Sequence, residues 1–115
     1  MLKRGNLLSN PLDASSAEIM EKLSSLGGTG TTIERIASDG QSSPPDFWYD
    51  QDWDEWVAVL AGGAELEFDN PAAEERLSPG DWLLIPAHRR HRVRATLKGT
   101  LWLAVHGKAP LPEKA

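Results

Sequence analysis

The segment Gly80-Asp81-Trp82-Leu83-Leu84-Ile85-Pro86-Ala87-His88-Arg89-Arg90-His91 admits few folds. A glycine turn feeds a short apolar strand, a proline stops it, and a histidine opens the next strand. A second segment, Glu55-Trp56-Val57-Ala58-Val59-Leu60-Ala61-Gly62, has the matching form: a carboxylate leads an apolar strand into a glycine turn. Strands this short bury their apolar side chains only by joining others in a sandwich or a closed barrel. Together the two segments predict a small β-barrel that aims Glu55 and His91 into one pocket.

The flanking sequence keeps the same rhythm. Thr31 to Ala37 is a β-branched run, and Ser38 to Asp46 is a loop with an Asp39-Gly40 turn. Phe47 to Gln51 reads as a short strand and Trp56 to Ala61 as a clear one. Ala64 to Asp69 alternates apolar and acidic residues, which marks a strand with one buried and one wet face. Asn70-Pro71 opens a loop through Glu75. Trp82 to Ile85, Arg90 to Thr96 and Thr100 to His106 complete the strands. The N-terminal part reads differently. Residues 1 to 12 are irregular. Asp13, Ser15 or Ser16 can then cap a helix, with Glu18 at the capping-box spacing from Ser15. Ile19, Met20, Leu23 and Leu26 share a helical face, and Gly27 stops it. The expected organisation is a lead-in and helix over 1–30, a barrel over 31–107 and a flexible tail over 108–115.

Composition narrows the function classes. With 115 residues, 40% hydrophobic and 25% charged, the chain is one domain of ordinary globular make-up. A net charge of -5 argues against nucleic acid and against an anionic membrane surface. The absence of cysteine excludes disulfides, thiolate metal sites and a cysteine nucleophile. Met1 to Arg4 has no apolar stretch behind it, so no secretory signal is expected, and no run reaches membrane-span length. A cytoplasmic location is the expectation.

Strand parity sorts the candidate chemistry. Arg90, Arg92 and Arg94 share one face and see solvent or an acidic partner strand, while His91, Val93 and Ala95 share the buried face. A buried histidine is either a hydrogen-bonded core residue or a ligand or acid–base group. Glu55 leads a strand that is apolar on both faces, and a carboxylate turned inward there needs a partner. His91 or a cation would serve. His88 falls in a turn, and His106 ends a strand in register with Trp102 and Ala104. Asp46, Asp50, Asp52, Asp54 and Glu55 lack the glycine and spacing of a calcium loop and read as a mostly solvated cluster. Trp48, Trp53, Trp56 and Trp82 belong to a ligand pocket, the core or a dimer interface.

These motifs resemble the cupin superfamily, specifically small single-domain bacterial cupins of the RmlC-like type. The second cupin motif, G-x5-P-x-G-x2-H-x3-N, is met by Gly80, Pro86 and His91, with His88 at its inner glycine and Ala95 at its asparagine. The first, G-x5-H-x-H-x3,4-E-x6-G, keeps Glu55 and Gly62. Its two histidines fall on Tyr49 and Gln51, or on Trp48 and Asp50 with one inserted residue. The resemblance implies an all-β, double-stranded β-helix (jelly-roll) barrel, here carrying the N-terminal helix. It implies a divalent metal inside the barrel, held by Gln51, Glu55 and His91, with manganese, iron, nickel or zinc as candidates. Tyr49 or His88 would assist proton transfer, and Tyr49, Trp48, Val57, Val93 and His106 would line the pocket. The substrate would be a small polar metabolite. The alternative is a metal-free cupin that binds a small molecule without catalysis. Barrels of this type also pair, so a homodimer is expected.

Overall fold

The computed structural model describes residues 2–107. Its strands in chain order are β1 (Ile19–Leu26), β2 (Thr31–Ser38), β3 (Glu55–Ala61), β4 (Ala64–Phe68), β5 (Ala73–Leu77), β6 (Trp82–Ile85), β7 (His91–Thr96) and β8 (Thr100–His106). They form a five-stranded sheet in the order β1-β2-β8-β3-β6 and a three-stranded sheet in the order β5-β4-β7. Neighbours are antiparallel throughout. This is the all-β jelly-roll barrel expected from the sequence.

Alternation places the core. Val57, Val59, Trp102 and Ala104 turn inward from the larger sheet and meet Ala64, Leu66 and Phe68 from the smaller one. Leu77 and Ile85 close the cluster. Gly62 makes the β3–β4 turn possible. Its φ is +79°, and a Cβ there would come within 2.6 Å of the Thr100 Cα. Thr100 needs that space, because its hydroxyl donates to the Leu97 carbonyl and accepts from the Gly63 N–H at 3.2 Å.

Three expectations are corrected. No helix forms among the described residues, and the segment expected to be helical is β1. The apolar positions Ile19, Met20, Leu23 and Leu26 fit a helical stripe, but β2 offers an open edge, and Ile19 to Leu26 pairs along it from Ala37 to Thr31. Ladder pairing outweighs the helix propensity of a Glu-, Met-, Lys- and Leu-rich window. A register shift between Lys22 and Ser24 lets a helical-looking pattern sit on a sheet. Within Phe47 to Gln51 only Tyr49 pairs, in an isolated bridge to His91. The expected loop from Asn70 through Glu75 is shorter, since β5 begins at Ala73. The tail expected over 108–115 lies outside the described residues.

The lead-in is fastened to the outer face of β2. Arg35, 4% exposed, donates to the carbonyls of Ser9 at 2.7 Å, Asn10 at 3.0 Å and Leu7 at 3.2 Å. Its guanidinium also pairs with Glu21 of β1 at 3.0 Å. No helix among the described residues is long and apolar enough to cross a membrane.

Candidate functional site

Register brings the site together. Glu55 opens β3, opposite Ile85 on one side and His106 on the other. Residues opposite each other on antiparallel strands point to the same face, so Glu55, Val57 and Ile85 all turn into the barrel. His91 opens β7 on the facing sheet, beside Phe68 of β4. Tyr49 is clipped to His91 by two backbone bonds: the Tyr49 N–H donates to the His91 carbonyl at 2.7 Å, and the reverse bond is 3.1 Å. The His88 N–H donates to the Gln51 carbonyl at 2.7 Å, and the Ala87 N–H to Asp54 Oδ1 at 2.8 Å. Residues 49 to 54 are thereby bound to the turn that leads into β7.

Between the sheets lies a cavity of about 80 Å³. Glu18, Tyr49, Gln51, Glu55 and His91 supply its polar wall, and apolar side chains such as Val57, Val93 and Trp102 the rest. Of the residues singled out in the sequence, Tyr49, Gln51, Glu55, Val57, His91 and Val93 line it. Trp48, His88 and His106 do not. The Trp48 ring lies 5.5 Å from the Arg90 guanidinium. His88 is exposed in the turn, with Nδ1 2.8 Å from Asp50 and Nε2 3.5 Å from Asp52. Its φ of +63° explains why the family motif has glycine there. His106 shares the inner face with Glu55 but is taken up by a hydrogen bond with Glu34 and by the Trp53 ring at 5.6 Å.

Glu18 and Trp102 are the additions. Trp102 Nε1 donates to Ser38 Oγ at 3.2 Å, and Ser38 Oγ donates to Glu18 Oε2 at 2.8 Å. This relay holds the Glu18 carboxylate at the cavity. Parity with Ala104 marks Trp102 as inward-facing, so it had a sequence signal. Glu18 had none, because its segment reads as a helix.

The ionisable groups are pushed toward their uncharged forms. Burial raises the Glu55 carboxyl above its ordinary range; the nearby charge of His106 opposes this and that of Glu34 adds to it. Burial lowers His91, the hydrogen bond to the Arg89 carbonyl opposes this, and the Arg89 charge adds to it. Tyr49 is raised by burial first and then by the charges of Glu18 and Glu55. His91 Nδ1 lies 2.9 Å from the Arg89 carbonyl oxygen. A carbonyl only accepts, so Nδ1 carries the proton and Nε2 keeps its lone pair. His91 is 5% exposed, and Nε2 has no hydrogen-bond partner among the described residues.

The sequence signature of the cupin domain spans residues 33–106. The chain belongs to the cupin family. No curated protein matches it. Among solved structures, it is similar to a "putative mannose-6-phosphate isomerase" from Ralstonia eutropha JMP134, with 46% identity, TM-score 0.85, and coverage of 94% of this chain and 100% of the other. An RmlC-like cupin from Desulfovibrio desulfuricans shares 20% identity at TM-score 0.74, covering 93% of this chain and 97% of its own. A polyketide cyclase from Streptomyces resistomycificus shares 20% at TM-score 0.72, covering 96% and 83%. The last two show the fold alone.

The ungapped placement of the first motif matches the geometry: Tyr49 and Gln51 reach the cavity, whereas Trp48 meets Arg90 and Asp50 meets His88. The donor set at those positions is thin, with one carboxylate, one imidazole, a neutral amide and a phenol. Among the described residues no three His, Cys, Asp or Glu side chains converge so as to hold a metal. These residues do not fit a tightly held resident ion.

Proposed function

We propose that this cupin binds a small polar metabolite in the barrel cavity without a resident metal, with His91 as the proton acceptor at the site. The carrying observation is the buried imidazole whose Nε2 is unpartnered in a cavity walled by Glu18, Tyr49, Gln51 and Glu55. A neutral imidazole beside a phenol and a carboxyl that burial favours in its protonated form can accept, donate and relay a proton. Whether a reaction follows depends on the ligand.

The cavity also bears on what that ligand is. None of its lining residues is Lys or Arg, and two are glutamates. A phosphate group wants cationic or backbone N–H donors, so the sugar-phosphate activity in the name of the Ralstonia protein is not carried over. At about 80 Å³ the cavity is far below the roughly 300–1,000 Å³ of a drug-sized site and suits a few non-hydrogen atoms.

The test is an NMR titration of the full chain with small polar fragments. Binding that perturbs Tyr49, Glu55 and His91 and is lost in His91→Ala supports the reading; a cavity that takes no fragment removes it. The competing reading is a divalent ion on Gln51, Glu55 and His91. Elemental analysis of untagged protein, after manganese, iron, nickel and zinc have been offered, separates the two. Stoichiometric metal that disappears in both Glu55→Ala and His91→Ala would replace the metal-free reading. The same proposal includes a homodimer formed through the outer face of the five-stranded sheet, supported by the exposed Trp82 and Leu84. It also includes a cytoplasmic location, supported by the lack of cysteine.

A further inference from the structure

Polar groups in the cavity are mostly of one sense. Glu18 and Glu55 present carboxylate oxygens, and His91 presents the lone pair of Nε2. Of the Glu18 oxygens, Oε2 is taken by Ser38, and Oε1 has no partner among the described residues. Tyr49 and Gln51 can both donate and accept. No lysine or arginine contributes to the wall. Arg89 meets His91 through its carbonyl and turns its guanidinium elsewhere. That group is tied to the carbonyls of Asp69 and Pro71 and lies over the Phe68 ring at 4.9 Å. The cavity is therefore rich in acceptors and has no cationic side chain in its wall.

A primary ammonium carries three N–H donors and no acceptor. Three acceptors stand around this cavity, on Glu18, Glu55 and His91. Tyr49 and Trp102 add aromatic rings of the kind that attract an organic cation, and Val57, Leu66, Ile85 and Val93 add apolar wall. We propose that the cavity takes the head of a small organic cation, a primary ammonium on a short apolar chain, bonded to Glu18, Glu55 and His91 Nε2. This rests on the reading of the cavity as a ligand site. Glu18 sets the specificity. It lies outside the metal positions of the family motif, and the Trp102–Ser38 relay fixes it in place.

The test compares n-butylammonium, 1-butanol and butyrate at one ionic strength, followed by amide and side-chain resonances of the full chain. The ammonium should perturb Tyr49, Gln51, Glu55 and His91 and bind at least about tenfold more tightly than the alcohol, as charge-assisted hydrogen bonds require. Butyrate should not bind. Glu18→Gln keeps an acceptor for Ser38 and should weaken the ammonium about tenfold while leaving the alcohol unchanged. If the alcohol or butyrate binds as tightly as the ammonium, the cation inference is overturned and the ligand site stands. If none of the three perturbs the cavity, the cation inference is likewise overturned. The broader reading then falls only if the wider fragment titration is empty too.

Discussion

At His91, burial and hydrogen bonding act in opposite directions on one imidazole, and burial wins. Its folded pKa lies below the ordinary 6.5. The unfolded chain therefore binds more protons than the folded one as the pH drops below about 6.5, and stability falls with it. The contribution is complete above the unfolded value and is lost as pH falls through the folded one. His91→Gln should reduce the loss of urea midpoint between about pH 7.5 and about pH 5. The His91 imidazole proton resonances of the wild type should titrate below 6.5. Glu55 has the opposite sign. Its folded pKa is raised, so stability is fully present below the unfolded value and is lost as pH rises through the folded one. Glu55→Gln should therefore raise the unfolding midpoint at about pH 8, and by less at about pH 4. Gly62 carries a different strain. A side chain there meets Thr100 at a left-handed φ, so Gly62→Ala should cost roughly 1–3 kcal/mol in denaturant unfolding.

Among the elements, β3, β4, β6, β7 and β8 were legible because their alternation and turn residues agree. Strand parity alone put His91 inside and the arginines outside. Arg92 faces Glu67 at 3.2 Å and Arg90 meets Asp69 at 2.8 Å, so of the two alternatives, solvent or an acidic partner strand, these two arginines meet acidic groups on and just beyond β4. The motif spacing also put Tyr49 and Gln51 at the cavity, because two backbone bonds hold that segment in register with β7. β1 was not legible. An edge strand exists only because a neighbour accepts it, and the helical stripe of Ile19 to Leu26 carries no trace of β2. Glu18 was lost with it. His106 was legible as inward-facing, but its capture by Glu34 depends on a strand far away in sequence. Arg35 ties these N-terminal parts together. Arg35→Ala would leave the carbonyls of Leu7, Ser9 and Asn10 without their donor and Glu21 without its partner. It should cost about 2–4 kcal/mol and open the stretch from Leu7 to Pro11 to limited proteolysis. Arg35→Lys should not restore protection, because one ammonium cannot span the three carbonyls that a planar fork reaches.

For the whole molecule, the inner and outer faces of the five-stranded sheet have different tasks. The inner face carries the core and the cavity wall. The outer face should be polar if it met only water, yet β6 turns Trp82 and Leu84 outward at 60% and 57% exposure. Trp56 stacks on Trp82 with ring centroids 6.0 Å apart. Strand pairing extends this surface: Val105 lies opposite Trp56, and Leu103 opposite Ala58. β6 is also an edge of its sheet, with unpaired backbone groups beyond it. An exposed tryptophan and leucine on an edge strand, beside the half-buried Trp56, cost little only when a partner covers them. In the proposed homodimer a second copy of the chain covers this face, and the contact should bury about 1,000 Å² or more. The protein should sediment as a dimer at micromolar concentration. Trp82→Glu with Leu84→Glu should yield a folded monomer, because both side chains already lie outside the core. The cavity faces the other way, so fragment binding at Tyr49, Glu55 and His91 should be unchanged in that monomer. A wild type that sediments as a monomer would mean that this face serves some other partner.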